Sequence, residues 1–265
     1  MLWLELTSEG FPEAVKASKG LCLVPIGCLE RHGPHLPVGT DQCHVDAVAR
    51  AAADREPAVV FPSYHFGAIH TARHRLGTVA LTKRLLLPVL EAVVGEIARN
   101  GFSKVLLVNG HGGNRHMIHV LLRMLLEEPH DYVVYATDHY VLEEPARQRW
   151  HEMRASDFGG HADEMETSLM LHLRPDLVHM EALTEAEEGV PKGRLAHLPQ
   201  LTTSMDWYAD HPTHYAGDAR AATAQKGEFL FQACVDKLVK QMRAIKADQV
   251  SPELQREFYR QAERP

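Results

Sequence analysis

The chain has 265 residues, 45% of them hydrophobic, and a formal net charge of −7. That size and apolar content suffice for one sizeable core, as expected of a single domain over residues 1–265, and the acidic balance without a basic cluster argues against nucleic acid or an anionic membrane as partner. Small molecules remain the expected class of partner, and no apolar run approaches the roughly 20 residues of a membrane-spanning helix.

In chain order, residues 1–7 lack a basic start and are cut short by charge, so they read as part of a cytoplasmic protein rather than as a leader. Ser8-Glu9-Gly10-Phe11-Pro12 opens a short helix, and Leu21-Cys22-Leu23-Val24-Pro25-Ile26 is a continuous apolar run expected to form a buried strand. Residues 41–53 predict a helix with Val45, Val48, Ala49 and Ala52 inward. A second strand is expected at 58–61, a long helix at 85–100 ended by Gly101, a third strand at 104–108, a helix at 117–126 and a fourth strand at 132–136. This alternation predicts an α/β fold, a single-domain three-layer α/β/α sandwich with a mainly parallel sheet. Residues 181–203 mix turn signals and charges and read as a long loop or subunit contact. Residues 217–247 are expected to close the fold with a helix, and the charged tail from Ser251 is either an extra helix or frayed.

Chemistry concentrates in three places. The stretch Cys28-Leu29-Glu30-Arg31-His32-Gly33-Pro34-His35-Leu36-Pro37-Val38-Gly39-Thr40-Asp41 is too rich in Gly and Pro to be helix. Glu30 and His32 leave the same face of extended backbone, and the punctuated loop can return Asp41 beside them. Imidazole nitrogen with carboxylate oxygen suits Zn, Mn or Fe better than Ca or Mg. Asn109-Gly110-His111-Gly112-Gly113-Asn114 follows the third strand at once, which puts His111 at a strand's carboxyl end, the edge where open parallel sheets bind ligands. The first strand delivers Glu30 and His32 past its own end, so the two clusters can meet in one crevice. A third block, Gly159-Gly160-His161-Ala162-Asp163-Glu164-Met165-Glu166-Thr167-Ser168, adds a histidine and carboxylates ahead of the helical run 169–173.

Any one of the 18 histidines is more often a surface or hydrogen-bonded core residue than a ligand. Taken jointly, Glu30, His32, Asp41 and His111 would otherwise be charged groups clustered at strand ends without partners. His35, His44, His70 and His74 read as helix or cleft residues, Trp207 as packing, and Cys28 as a small filler or a neighbour of the ligands. The cysteines at 22, 28, 43 and 234 contain no Cys-x-x-Cys pair and are expected to be reduced.

On these three blocks, Glu30 to Pro37 with Thr40-Asp41, Asn109 to Asn114, and His161 with Glu166-Thr167-Ser168, the chain resembles the creatininase (creatinine amidohydrolase) family over roughly residues 20–175. The resemblance implies a binuclear metal site holding two divalent ions per subunit, with Asp41 bridging them. It places Glu30 and His111 on one side, His32 and Glu166 on the other, and makes His161 the acid/base residue. A homo-oligomer is implied as well, with a hexamer as the candidate assembly. Creatininase itself follows the ligand histidine with a tyrosine and a ligand glutamate, where this chain has Gly112 and Gly113. A carboxylate of the third block must then substitute, and Glu166 is preferred to Glu164 because Glu-Thr-Ser is the family feature. Residues 66–78 also depart from the pattern, lacking a Pro before Gly77-Thr78, so creatinine itself is not the expected substrate.

Two such ions would lower the pKa of a water toward about 7 and polarise a carbonyl. His161, in a glycine-flanked loop, is then the expected proton donor to the leaving group, titrating near neutrality and oriented by Glu164. The family resemblance implies cleavage of a non-peptide C–N bond, in a cyclic amide or formamide. The alternative is opening of a cyclic ketone such as an oxidised cyclitol. From other classes, a non-catalytic nucleotide-binding module would seat phosphate at Gly110 to Gly113 but lacks the Lys-Ser/Thr of a P-loop, and a structural metal would favour a closed Cys/His set.

Overall fold

The structure, a computed structural model, describes residues 1–184 and 189–262. Its strands are β1 (Leu21–Ile26), β2 (Val59–Val60), β3 (Lys104–Asn109) and β4 (Val133–Asp138). They pair in parallel in the order β2-β1-β3-β4, with Cys22 opposite Val59, Ile26 opposite Asn109 and Asn109 opposite Asp138. The helices are α1 (Phe11–Ala17), α2 (Thr40–Arg55), α3 (Lys83–Arg99), α4 (Asn114–Met124), α5 (Ala146–Met153), α6 (Glu164–Leu173), α7 (Asp206–Asp210), α8 (Ala224–Ala247) and α9 (Val250–Ala262). Among the described residues, no helix is long and apolar enough to cross a membrane.

Strands β1 and β3 are buried along their whole length because both faces of the sheet are covered, which is why they read as unbroken apolar runs. Their side chains alternate between two cores. Leu21, Leu23, Leu106 and Val108 pack with Val45, Val48, Ala49 and Ala52 of α2 and with Leu230, Leu238 and Met242 of α8. Cys22, Val24, Ile26, Val105 and Leu107 pack on the other side with Leu86, Leu90, Val94 and Ile97 of α3 and with Met117, Ile118 and Leu121 of α4. Each of the buried Val, Leu, Ile and Met side chains among these contributes about 1.5–3 kcal/mol relative to exposure. The three layers are those expected from the sequence.

The bounds differ where capping and turns intervene. Helix α8 begins at Ala224 rather than at 217, because Gly217, at φ +140°, makes a turn and the Thr223 hydroxyl caps the N–H of Lys226 at 3.2 Å. Helix α4 starts at Asn114, whose N–H donates to the His111 carbonyl. The tail is helical as α9. The loop expected over 181–203 is irregular after a single turn at Met180–Ala182, and its residues 185–188 lie outside the described residues.

One topological fact positions the site. From neighbouring strands β1 and β3 the chain leaves toward opposite faces, into α2 on one side and α4 on the other. Two loops diverging from adjacent strand ends leave a crevice beyond the carboxyl edge.

Candidate metal centre

Three local devices aim side chains into that crevice. After β1, the loop doubles back: the Glu30 N–H donates to the Val38 carbonyl at 3.0 Å, and His32 bridges Leu36 around Gly33, which sits at φ +60°. The return delivers Asp41 to the first turn of α2, where the helix's positive end favours a carboxylate. After β3, the Asn109 side chain clamps His111, accepting its N–H at 3.1 Å and donating to its carbonyl at 2.8 Å. Before α6, Asp163 caps the helix by accepting the N–H groups of Met165 and Glu166 at 2.9 and 3.1 Å, and its other oxygen takes that of Gly160. Ala162, held at φ +56°, turns its own N–H onto Glu166 Oε2.

These devices bring all five expected ligands and His161 together. His111 Nδ1 lies 2.9 Å from Glu30 Oε1 and 3.0 Å from Asp41 Oδ2. Asp41 Oδ1 lies 3.0 Å from His32 Nε2, which is 3.8 Å from Glu166 Oε2, and His161 Nδ1 is 3.9 Å from Glu30 Oε1. The donor atoms form three groups, each within 4.8 Å: Cys28, Glu30, Asp41 and His111; His32, Asp41 and Glu166; and Glu30, His32 and His161. Asp41 belongs to the first two.

Glu164 points elsewhere. It and Glu166 stand two residues apart on α6, hence about 200° apart around the axis, so only one can face the crevice. Glu164 is taken by Lys226 and by the N–H groups of Ala155 and Ser156, and does not orient His161 as the sequence had led us to expect. A cavity of about 390 Å³ lined by Trp150, Arg154 and Phe158 to Gly160 lies over Glu164, and its walls hold none of the donor residues. His35 bonds Thr167 at 2.8 Å, His44 is a buried residue of α2, and His74 reaches the Pro212 carbonyl on the surface. Cys28 does touch the centre, its thiol donating to Asp41 Oδ2 at 3.2 Å, and burial pushes that thiol well up so that it stays protonated. Gly113 explains the missing glutamate: a Cβ there would lie 2.5 Å from His111 Nε2 and 2.6 Å from the Ala68 carbonyl. No side chain fits at 113 with His111 where it stands.

His214 is the functional candidate that the sequence did not reveal. Its Nε2 lies 2.5 Å from Glu30 Oε2, and its Nδ1 accepts the indole N–H of Trp207 at 3.0 Å. A histidine beside Pro212 and Thr213 carries no sequence mark of this contact.

Burial opposes charge throughout the centre, and the pairing of opposite charges overcomes it. Glu30 is held well below the usual carboxylate range by His111 and His161, and Asp41 is likewise lowered by His32 and His111. Asp41, with Glu166 and Glu30 behind it, raises His32 to about 10, and Glu30 and Asp41 raise His111 well above its ordinary value. Burial, with the neighbouring Asp41 and Asp163 carboxylates, pushes Glu166 up to about 8 against the attraction of His32, and burial pulls His161 down to about 3 against the attraction of Glu30. Buried Glu30 and Asp41 and the half-buried Glu166, balanced by imidazoles, form a charge arrangement that a cation completes, and Glu30 Oε1 makes no well-aligned hydrogen bond among the described residues. Mixed nitrogen and oxygen donors of this kind fit Zn, Mn or Fe.

Fold and site together define a parallel-sheet α/β protein whose histidine–carboxylate cluster sits where the strand order reverses. The chain belongs to the creatininase family, whose profile, described as creatinine amidohydrolase, matches residues 4–242. It is 32% identical over 230 residues to a mycofactocin precursor peptide peptidase of Mycolicibacterium smegmatis, covering 82% of this chain and 84% of that one. It is 26% identical to a creatinine amidohydrolase of Pseudomonas putida, covering 90% and 95%, and 26% identical to a 3-dehydro-scyllo-inosose hydrolase of Thermotoga maritima, covering 85% and 77%. A crystal structure of creatinine amidohydrolase superposes with a TM-score of 0.78 at 26% identity, over 94% of this chain and 98% of that one. A manganese form of creatininase and the zinc–zinc form of a creatininase mutant superpose at 0.76 and 0.77, both at 25% identity and over 93% of this chain, covering 99% and 98% of theirs.

Proposed function

We propose that the chain hydrolyses an amide C–N bond of a small molecule with the help of two divalent ions, Zn, Mn or Fe, per subunit. The observation that carries this reading is that Asp41 alone joins the donor group of Glu30 and His111 to the donor group of His32 and Glu166. Glu30 and His111 would hold one ion with Asp41, and His32 and Glu166 the other. Bound there, such ions would lower the pKa of a water toward about 7 and polarise a carbonyl.

His161 is the residue we assign to proton transfer. Its Nε2 faces the Arg31 carbonyl at 2.7 Å, and a carbonyl only accepts, so the proton sits on Nε2 and the Nδ1 lone pair faces the centre. His161 takes up a proton at Nδ1 as the carbonyl is attacked and returns it to the departing nitrogen. Acceptor first and donor second replaces the simple donor expected from sequence.

The relatives are named for a peptide, for creatinine and for an inosose, so we widen the bond from cyclic amides and formamides to amides that include peptides. Opening of a cyclic ketone is the second reading, and the inosose hydrolase favours it. We take the chain as one creatininase-like domain. Its four free cysteines support a cytoplasmic setting, and Val250, Leu254 and Phe258, exposed along one face of α9, support a homo-oligomer.

Metal analysis should find two ions per chain, and protein reconstituted with Zn, Mn or Fe should hydrolyse a lactam, formamide or short peptide in a chelator-sensitive way. Intact amides with an opened oxidised cyclitol would favour the second reading. One inert ion would make the metal structural, and no ion with nucleotide affinity would make the chain a nucleotide-binding module.

A further inference from the structure

Residues 206–217 enter the centre by a route outside all three motif blocks. After α7, the chain turns through His211-Pro212-Thr213, where the Arg31 guanidinium seizes the Thr213 carbonyl and Arg75 and His74 take that of Pro212. Beyond the turn, Ala216 pairs with His161 by two backbone hydrogen bonds of 3.0 Å. Between these anchors stands His214, 1% exposed, at φ +57°. A residue other than glycine keeps that conformation only where its surroundings over-determine it, and such positions cluster at functional sites.

The hydrogen bonds of His214 leave one arrangement of its proton. An indole N–H can only donate, so Trp207 fixes Nδ1 of His214 as the acceptor. The imidazole proton is therefore on Nε2, which donates to Glu30 Oε2 at 2.5 Å. One oxygen of Glu30 is thereby occupied. The other, Oε1, makes no well-aligned hydrogen bond among the described residues and faces His111 Nδ1 at 2.9 Å.

We propose that His214, locked by Trp207, is a positioning residue that holds the Glu30 carboxylate so that Oε1 alone is presented to a cation between Glu30, Asp41 and His111. This rests on the metal-hydrolase reading above. Trp207 thus acts at the centre through His214, and Arg31, between Glu30 and His32, seats the turn that carries it. Groups that orient a ligand in this way commonly change metal affinity 10–100-fold when removed.

The test is zinc titration of the full-length apoprotein by calorimetry, with imidazole nitrogen NMR on histidine-labelled protein. In the wild type, His214 should show a protonated Nε2 and an unprotonated Nδ1 before and after zinc. His214→Gly, which removes the ring and relieves the left-handed backbone, should weaken one zinc site 10–100-fold and leave the other unchanged. His214→Gln, which restores an N–H donor, should recover part of the loss, and Trp207→Phe should weaken the same site by less than His214→Gly. If the wild type binds two zinc ions and His214→Gly binds both as tightly, the positioning role is wrong. If zinc displaces the Nε2 proton, His214 is a ligand and the role is again wrong. If the wild type binds no zinc, the reading of the centre itself fails.

Discussion

Glu30 Oε1 and His111 Nδ1 meet at 2.9 Å although they arrive from the ends of two different strands. The register of β1 on β3 makes this possible, since Ile26 lies opposite Asn109 and both loops start level at the sheet's carboxyl edge. Because the chain then departs to opposite faces, the two side chains point at each other across the crevice and not into a core.

Asp41 is the residue common to the group that holds His111 and the group that holds Glu166, so Asp41→Asn should abolish both bound ions, with affinity falling more than about 100-fold, beyond what loss of an orienting neighbour produces. His111→Ala should lose one ion only. Metal content after dialysis distinguishes the two variants, and one retained ion in Asp41→Asn would show that the aspartate is not shared.

Turnover and metal content should separate at His161. With its Nε2 committed to the Arg31 carbonyl, His161→Ala should keep two ions while kcat drops about 10²–10⁴-fold, the usual contribution of a positioned proton-transfer group. Loss of an ion in this variant would instead make His161 a ligand, through the group it forms with Glu30 and His32.

The cap of α6 bears on both stability and chemistry. Asp163 accepts the N–H groups of Gly160, Met165 and Glu166, so Asp163→Ala should cost about 1 kcal/mol in thermal unfolding, and Asp163→Asn much less. Because Glu166 is the third residue of that helix, the alanine variant should also weaken the ion on the His32 side. Unchanged zinc affinity would detach the cap from the centre.

Stability should rise with pH across the acidic range. Burial lowers His139 from its ordinary 6.5 to about 4, and its Nε2 has no hydrogen-bond partner among the described residues. Between those two values the unfolded chain binds the proton that the folded chain refuses, so this contribution is full above about pH 6.5 and is lost as pH falls toward 4. The loss is of the order of 3 kcal/mol, and denaturant unfolding from pH 7 to 4.5 measures it. His139→Phe should flatten that slope; a slope identical to wild type would remove His139 as its source.

Much of this molecule was legible as text because the signals are local. Apolar runs buried on both faces marked β1 and β3, a 3.6-residue period marked α2 and α3, and Gly and Pro around Glu30, His32, Asp41 and His111 marked loops at strand ends. Where neighbouring residues set the outcome, as at Thr223 capping α8, the boundary moved, there from 217 to 224.

The amino-acid order by itself determined which segments pair into a parallel sheet and which side chains stand at its carboxyl edge, since periodicity and punctuation are properties of short stretches. Only the tertiary structure turns Glu166 toward the crevice and Glu164 away from it, because the direction of a carboxylate on α6 depends on where the helix lies, and only it revealed His214. That histidine reaches Glu30 across 184 positions of sequence and adopts a left-handed backbone imposed by its surroundings, and neither the distance nor the dihedral leaves a trace in the residue's identity.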